Sequence, residues 1–338
     1  MSFPRLADIV GQEPALRALA AATPPKGDPS GAFLFVGPEG VGKRSTALAW
    51  ARTLFCAVGG ADACGRCGPC KKIEHGNFPD LITVAPEARE KKVKEEIDIQ
   101  HIRELIARLS YRPYEASRKV AVIDGVDQMN TPAANAFLKT LEEPPGDTTL
   151  ILVAVNLNAL LATIISRCKV ARFGALDHGR LTELLVRAHG MEPALARAAA
   201  SISRGAPGRA LAESLEEESR LRAEALSLLR DTPTMSAGAV FNLARGLDKA
   251  VDKARVDRLL TALQELIREA LVVKLTGKYD NLIHTDIAPA IRDAAAGYTA
   301  GELVEIYRLA GEMAAARRWN VNPLLVTSLL LLERRSGT

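Results

Sequence analysis

The strongest constraint on the fold is a glycine-rich segment that directly follows a short apolar run. Residues 33–36 have the length and composition of a buried strand, and residues 37–43 then fit the frame Gly-x-x-x-x-Gly-Lys. In such a frame backbone N–H groups curl around phosphates, the lysine reaches the β- and γ-phosphates, and the N-terminus of the next helix adds its dipole. Residues 45–55 have the pattern of that helix. The segment therefore predicts a phosphate-binding loop in an α/β nucleotide fold.

Further apolar runs of strand length follow in the first half of the chain, at residues 81–84, 120–123, 150–153 and 170–173. Runs that are apolar on both faces and separated by helical segments are typical of a parallel sheet buried between helices. One of these helices is well delimited, because Thr131 can cap it, Pro132 suits its first position and the pair Pro144-Pro145 ends it. We therefore expect an α/β core with a parallel sheet.

From about residue 174 the strand-like runs stop and helical periodicity takes over. The clearest case is an apolar face over residues 256–271, closed by Gly277. A break at residues 203–208 and a charged run at 216–220 divide this half. We predict three domains, namely an α/β domain at 1–173 with a four-cysteine insertion at 56–70, a helical domain at 174–214 and a second helical domain at 215–338.

Two positions near the phosphate loop lack groups that metal-dependent hydrolysis needs. Arg44 stands where a serine or threonine would bind Mg²⁺, and a guanidinium cannot ligate a cation. Asp124 follows a predicted strand and suits a metal, but the next residue, Gly125, has no side chain to orient water. Asp127 is a candidate substitute, although a helix-start or turn carboxylate is the favoured interpretation. We predict a degenerate nucleotide site at which ATP binding is in doubt, formed by Gly37, Gly40, Gly42, Lys43 and Asp124.

Four of the five cysteines are clustered in the spacing Cys-x7-Cys-x2-Cys-x2-Cys. Four thiols at this spacing, with glycine and proline between them, can close tetrahedrally around one Zn²⁺ and leave no open position for catalysis. His75 in place of Cys56 is an alternative fourth ligand, and unligated thiols or a redox pair are the other interpretations. The remaining Cys168 is expected to be a buried thiol. We predict a structural zinc site formed by Cys56, Cys64, Cys67 and Cys70.

Composition excludes several other classes of protein. With 338 residues, of which 48% are hydrophobic, the chain can bury substantial cores rather than remain disordered. Its 44 Lys plus Arg against 40 Asp plus Glu give a net charge of +4, too small to indicate a protein that coats nucleic acid. The first residues lack an apolar signal core, and no apolar run reaches the roughly 18 residues of a membrane span. We therefore expect a soluble cytoplasmic protein without a membrane partner.

Two further motifs carry a resemblance to a known family. Residues 138–145 read Leu-Lys-Thr-Leu-Glu-Glu-Pro-Pro, and Ser166-Arg167-Cys168 follows the fourth predicted strand. With the phosphate loop, the four-cysteine insertion, residues 9–12, residues 205–209 and the helical last third, nearly the whole chain is similar to the clamp-loader family of AAA+ proteins.

The resemblance implies a RecA-like AAA+ domain, a small helical lid and a helical collar that oligomerises. It implies that Arg167 is an arginine finger presented to the γ-phosphate on a neighbouring subunit, where such a group raises hydrolysis by roughly 10³- to 10⁵-fold. Arg209 matches the sensor arginine of the family, which faces the subunit's own nucleotide. Val155 lies where motor subunits carry a hydroxyl, with an uncertainty of one residue.

The resulting expectation is a non-hydrolysing, stator-like subunit of the bacterial sliding-clamp loader in DNA replication. The implied partners are the motor and delta subunits of a hetero-oligomer, expected to be pentameric, and through it the sliding clamp and primed DNA. An active ATPase motor subunit of the same machine is the alternative. A zinc-dependent DNA-binding protein is a second alternative, although only 4% of the residues are aromatic and able to stack on bases. Its candidate lysines are Lys71, Lys72, Lys91, Lys92 and Lys94.

Overall fold

The computed structural model of the chain describes residues 5–86, 96–212, 215–234, 236, 253–279 and 282–316. These form two compact units, one from the described residues within 5–184 together with 205–208, and one from the described residues within 185–204 and 209–316. The three predicted domains, with boundaries near 173 and 214, stay a prediction. Residue 214 and the lysines at 91, 92 and 94 lie outside the described residues.

The first unit is built on a sheet of parallel strands. They are β1 (Gly31–Val36), β2 (Leu81–Val84), β3 (Lys119–Asp124), β4 (Thr148–Ala154) and β5 (Cys168–Arg172). Their order in the sheet is β2-β3-β4-β1-β5, so that β1 lies between β4 and β5. Every residue of β4 is buried, as expected for a central strand covered on both faces. The predicted parallel sheet is confirmed, and each strand overlaps one of the five apolar runs.

Helices cover both faces of this sheet. They are α1 (Glu13–Ala22), α2 (Lys43–Leu54), α3 (Gly68–Glu74), α4 (Ile99–Ser110), α5 (Thr131–Glu142) and α6 (Ala162–Ile165), with short 3-10 helices at Leu6–Asp8, Val126–Gln128 and Leu157–Ala159. The next helix, α7 (His178–His189), begins in the first unit and ends in the second. Leu34 of β1 packs into the apolar layer that includes Phe137 of α5. Phe33 and Phe35 point the other way and pack with Trp50 of α2. The alternation along β1 thus divides the core into two layers.

The helix predicted to start at Thr131 is capped one residue earlier than expected. The side-chain oxygen of Asn130 accepts the N–H of Ala133 at 3.0 Å, and α5 then runs from Thr131 to Glu142. Asparagine in an extended conformation is among the strongest N-caps, so it takes precedence over the adjacent threonine. The prediction of Thr131 as the cap was wrong, whereas the stop before Pro144 was right.

The second unit is helical, as predicted. Its described helices are α8 (Pro193–Ile202), α9 (Pro207–Ala210, which begins in the first unit), α10 (Leu215–Asp231), α11 (Lys253–Thr276), α12 (Ala288–Ala296) and α13 (Ala300–Ala316), with 3-10 helices at Thr232–Thr234 and Thr285–Ile287. Leu259, Leu266 and Ile267 of α11 are buried in its core. Gly277 follows α11 with a φ of 66°, a left-handed conformation that suits glycine at a helix end. In the parts of the chain that the structure describes, no helix is long and apolar enough to cross a bilayer.

One buried carboxylate holds the connection into β3, and its removal is expected to destabilise the first unit. Asp80 is 1% exposed and accepts the backbone N–H groups of Tyr114, Glu115 and Ala116 at 2.7, 2.8 and 2.8 Å. Alanine leaves these donors without their charged acceptor, so we expect Asp80→Ala to lower the free energy of unfolding by about 3 kcal/mol. Urea denaturation measures this. Asp147→Ala, at an exposed carboxylate, is the control, and equal losses in the two variants contradict the prediction.

Candidate nucleotide site, metal centre and trans-acting arginine

The glycine-rich loop joins β1 to α2 at the carboxyl edge of the sheet. At Gly37 a Cβ atom would lie 2.2 Å from the carbonyl oxygen of Phe173, so that only glycine fits this close approach. Gly42, with a φ of 97°, is the N-cap of α2. Within the described chain, the amide N–H groups from Glu39 to Ser45 donate no hydrogen bond. The loop therefore presents a row of unpaired backbone donors at a helix N-terminus, which is the arrangement that binds phosphate.

The loop is held in place by two segments whose role the sequence did not reveal. Gln12, in the motif at residues 9–12, is buried and exchanges two hydrogen bonds with the backbone of Gly174, at 2.8 and 3.0 Å. It also donates to the carbonyl oxygen of Val41 at 3.5 Å. The N–H of Gly208 donates to the carbonyl oxygen of Gly40 at 2.8 Å. Both motifs thus fix the backbone of the loop.

Lys43 lies folded into the loop. Its side chain is 5% exposed, and its ammonium group donates to the carbonyl oxygens of Gly37 and Pro38 at 2.7 and 2.5 Å. Burial lowers the pKa of Lys43, and the nearby carboxylates oppose this effect. An ammonium group has three donors, so one is left for a ligand.

The groups around Lys43 do not fit Mg²⁺. Arg44 Nε lies 3.5 Å from the carboxylate of Asp124, which ends β3. Mg²⁺ requires oxygen ligands in near-ideal octahedral geometry, and here the first turn of α2 supplies a guanidinium that already faces the only predicted carboxylate ligand. The hydroxyl of Thr46, two positions further along α2, donates to the carbonyl oxygen of Gly42 at 2.9 Å. Burial raises the pKa of Asp124, and the charges of Arg44 and Lys43 oppose this effect.

The backbone and the space at the position after Asp124 do not suit the side chain of a catalytic glutamate. Gly125 has a φ of 72°, and a Cβ atom there would lie 2.9 Å from Cγ of Pro86. Asp127, the candidate substitute, accepts the N–H groups of Val155 and Asn156 at 3.2 and 2.9 Å. Its carboxylate therefore holds the turn after β4, which matches the favoured interpretation.

The four clustered cysteines fit a zinc ion. The sulfur atoms of Cys56, Cys64, Cys67 and Cys70 lie within 4.8 Å of one another, and a tetrahedral site with Zn–S bonds of about 2.3 Å requires sulfur separations of about 3.8 Å. The N–H of Cys64 donates to the sulfur of Cys56 at 3.3 Å, which orients that thiol. His75 lies outside the cluster, and its Nδ1 is 2.6 Å from the carbonyl oxygen of Lys71. The geometry thus favours four sulfur ligands.

The local environment shifts the pKa values of two of these thiols in opposite directions. Backbone N–H groups of Arg66 and Cys67 lower the pKa of Cys64 to about 6, whereas burial raises the pKa of Cys70 to about 12. A bound divalent cation deprotonates all its thiol ligands, so it overrides this difference. Cys168 is half-buried rather than buried, and burial raises its pKa to about 11.

Arg167 lies between α6 and β5 on the surface of the first unit. It is 35% exposed and donates to the carbonyl oxygen of Thr163 at 2.9 Å. Its guanidinium also contacts the carboxylate of Glu142 at 2.5 Å. Glu142 belongs to the motif at residues 138–145, so the structure brings together the two motifs that carry the family resemblance. An exposed ion pair contributes only about 0–1 kcal/mol, and Arg167 can therefore exchange this partner for another anion.

Three further candidate residues have partners or exposure of their own. Arg209 is in the second unit, where it pairs with Glu218 at 3.0 Å, and its contact with nucleotide stays a prediction. Val155 is exposed at the end of β4. Lys72, from the DNA-binding alternative, pairs with Glu115 at 2.6 Å, which weakens that interpretation.

A parallel sheet in the order β2-β3-β4-β1-β5, with a glycine-rich loop after β1 and an acidic residue ending β3, defines a RecA-like AAA+ protein, as predicted. A family model described as "DNA polymerase III, delta subunit" matches residues 11–177. DNA polymerase III subunit delta' of Bacillus subtilis is 32% identical over 79% of this chain and 79% of its own length. The chain belongs to the family of DNA polymerase III delta-prime subunits, which confirms the resemblance to clamp-loader proteins.

Other relatives match mainly over part of their length. Subunit delta' of Pseudomonas aeruginosa is 38% identical over 48% of this chain and 49% of its own length. Subunit tau of Escherichia coli is 32% identical over 84% of this chain and 44% of its own length. The chain therefore spans about half or less of these two relatives.

Proposed function

We propose that this chain is a non-hydrolysing, stator-like subunit of the sliding-clamp loader, in which Arg167 completes the ATP site of a neighbouring subunit. The observation that carries the proposal is the ion pair between Arg44 and Asp124 at 3.5 Å. The pair supports the proposal because a guanidinium beside Asp124 disfavours the metal that hydrolysis requires, and Gly125 has no group to activate water. The chain then contributes to hydrolysis only through a group that acts outside its own site.

Arg167 has the properties that such a group needs. Its guanidinium is accessible at 35% exposure and is oriented by Thr163 and Glu142. Cleavage of ATP spreads negative charge over the γ-phosphate oxygens, and a planar guanidinium supplied by a neighbour stabilises that charge. To act on a neighbour, the guanidinium of Arg167 exchanges its contact with the exposed carboxylate of Glu142 for a contact with the γ-phosphate.

The proposed partners follow from the family. They are the motor and delta subunits of the loader, in a hetero-oligomer that we propose is pentameric, and through it the sliding clamp and primed DNA. The relatives named tau support a complex of this kind. The zinc module has a structural role in this proposal, because its four sulfur atoms leave no open position. The location is the cytoplasm.

DNA-stimulated ATP hydrolysis by the reconstituted loader tests the proposal. The loader is assembled with the unaltered chain, with Lys43→Ala or with Arg167→Ala. We expect Arg167→Ala to lower turnover strongly and Lys43→Ala to leave it unchanged. A loss confined to Lys43→Ala identifies this chain as an active ATPase motor subunit, which Lys43 and Asp124 favour, and refutes the stator.

A further inference from the structure

We propose that the phosphate loop of this chain binds a nucleoside di- or triphosphate without Mg²⁺, with Arg44 in the position of the metal's positive charge. The inference goes beyond the stator proposal, because a stator requires no nucleotide of its own. It rests on two observations. The loop from Gly37 to Ser45, here called the phosphate cradle, has the groups that bind phosphate, whereas Arg44 and Asp124, at the position of the metal, do not fit Mg²⁺.

The cradle has the parts that recognise phosphate. Unpaired amide N–H groups run from Glu39 to Ser45 and lead into α2, whose positive dipole end faces the same point. Lys43 adds a buried ammonium that is bonded to carbonyl oxygens of the loop itself. The contacts of Gln12 and Gly208 with the loop keep this backbone in place before any ligand arrives. A preformed loop avoids the entropy cost of ordering when it binds.

The residues at the metal position differ from those of a phosphate loop that binds Mg²⁺. Mg²⁺ in such a loop needs the hydroxyl at position 44 and the carboxylate of Asp124, and it neutralises charge on the β- and γ-phosphates. Here Arg44 occupies the first position and pairs with Asp124 at 3.5 Å. A divalent cation would therefore face a guanidinium and compete with it for the carboxylate of Asp124.

The same guanidinium can perform the electrostatic part of the metal's task. Arginine carries five N–H donors in a planar fork, so Nε can stay near Asp124 while the terminal nitrogens bind a phosphate oxygen. Arg44 is 61% exposed on the first turn of α2, next to Lys43, and thus borders the cradle. Two adjacent cations and a row of N–H groups match the charge of a polyphosphate that carries no metal.

Calorimetric titration of the full-length chain with ADP and with ATP tests this inference, in excess magnesium chloride and in excess EDTA. We expect the apparent dissociation constants to be at least about tenfold lower in EDTA, since excess Mg²⁺ binds the nucleotide in solution and leaves little of the metal-free form that this site takes. Arg44→Thr restores a metal ligand and removes the charge, so its binding in EDTA is expected to weaken about tenfold and to recover with magnesium. Arg44→Gln is expected to weaken binding in both buffers.

Two controls complete the experiment. Arg103→Thr, at an exposed arginine of α4, is expected to bind as the unaltered chain does, and Lys43→Ala is expected to lose binding in both buffers. Thermal unfolding shows whether each variant is folded. Magnesium-dependent binding by the unaltered chain, no binding in either buffer, or full binding by Arg44→Thr in EDTA overturns the inference. None of these results changes the outcome expected for Arg167→Ala in the loader, so the two proposals fail separately.

Discussion

Arg167→Ala is expected to lower ATP hydrolysis at the neighbouring site by about 10³-fold, with little change in the affinity of that site for ATP. The guanidinium acts on charge that develops during cleavage, so its loss affects the transition state more than the bound substrate. Single-turnover hydrolysis by the reconstituted loader on primed DNA measures the rate, and equilibrium binding of ATP measures the affinity.

Two further variants and a measurement of assembly distinguish the loss of hydrolysis from a loss of subunit assembly. Arg167→Lys keeps the charge but not the planar fork, so we expect it to recover only a small part of the rate. Arg172→Ala, at an exposed arginine that ends β5, is expected to hydrolyse ATP normally. Co-elution of the subunits shows whether each loader is assembled. An assembled Arg167→Ala loader with normal turnover contradicts the stator function.

Loss of zinc is expected to destabilise the first unit by about 4 kcal/mol, the linkage free energy of a site that is saturated about 1,000-fold above its dissociation constant. The cluster joins the end of α2 to α3, and its core of Cys56, Cys70 and Ala63 is too small to remain packed without a cross-link. Metal analysis is expected to find one zinc per chain. Urea denaturation with and without a chelator measures the change in stability.

Two cysteine variants locate the metal. Cys70→Ser removes a buried ligand and is expected to lose zinc and to match the stability of the chelated protein. Cys168→Ser, at a half-buried thiol in β5, is expected to retain one zinc. His75→Ala is also expected to retain it, because that ring lies outside the cluster. Zinc retained by Cys70→Ser, or lost from His75→Ala, contradicts the four-sulfur site.

The sequence alone identified the features that depend on residues close together along the chain. Each of the five strands overlaps an apolar run, because a parallel strand covered on both faces requires apolar side chains at successive positions. The phosphate loop and the cysteine cluster were equally visible, since their spacings serve a single ligand within a short segment. The cap of α5 was misplaced by one residue, because Asn130 and Thr131 are both good caps and only the backbone conformation decides between them.

Only the tertiary structure decided which distant groups meet. Arg44 and Asp124 come together because β3 and the start of α2 share the carboxyl edge of the sheet, and no local pattern records that distance. Glu142 reaches Arg167 across the surface in the same way. Gly125 likewise lies close to Pro86, whose Cγ would be 2.9 Å from a Cβ atom at that position. Sequence periodicity determined which elements form, whereas long-range packing determined that the guanidinium of Arg44 lies beside the carboxylate of Asp124.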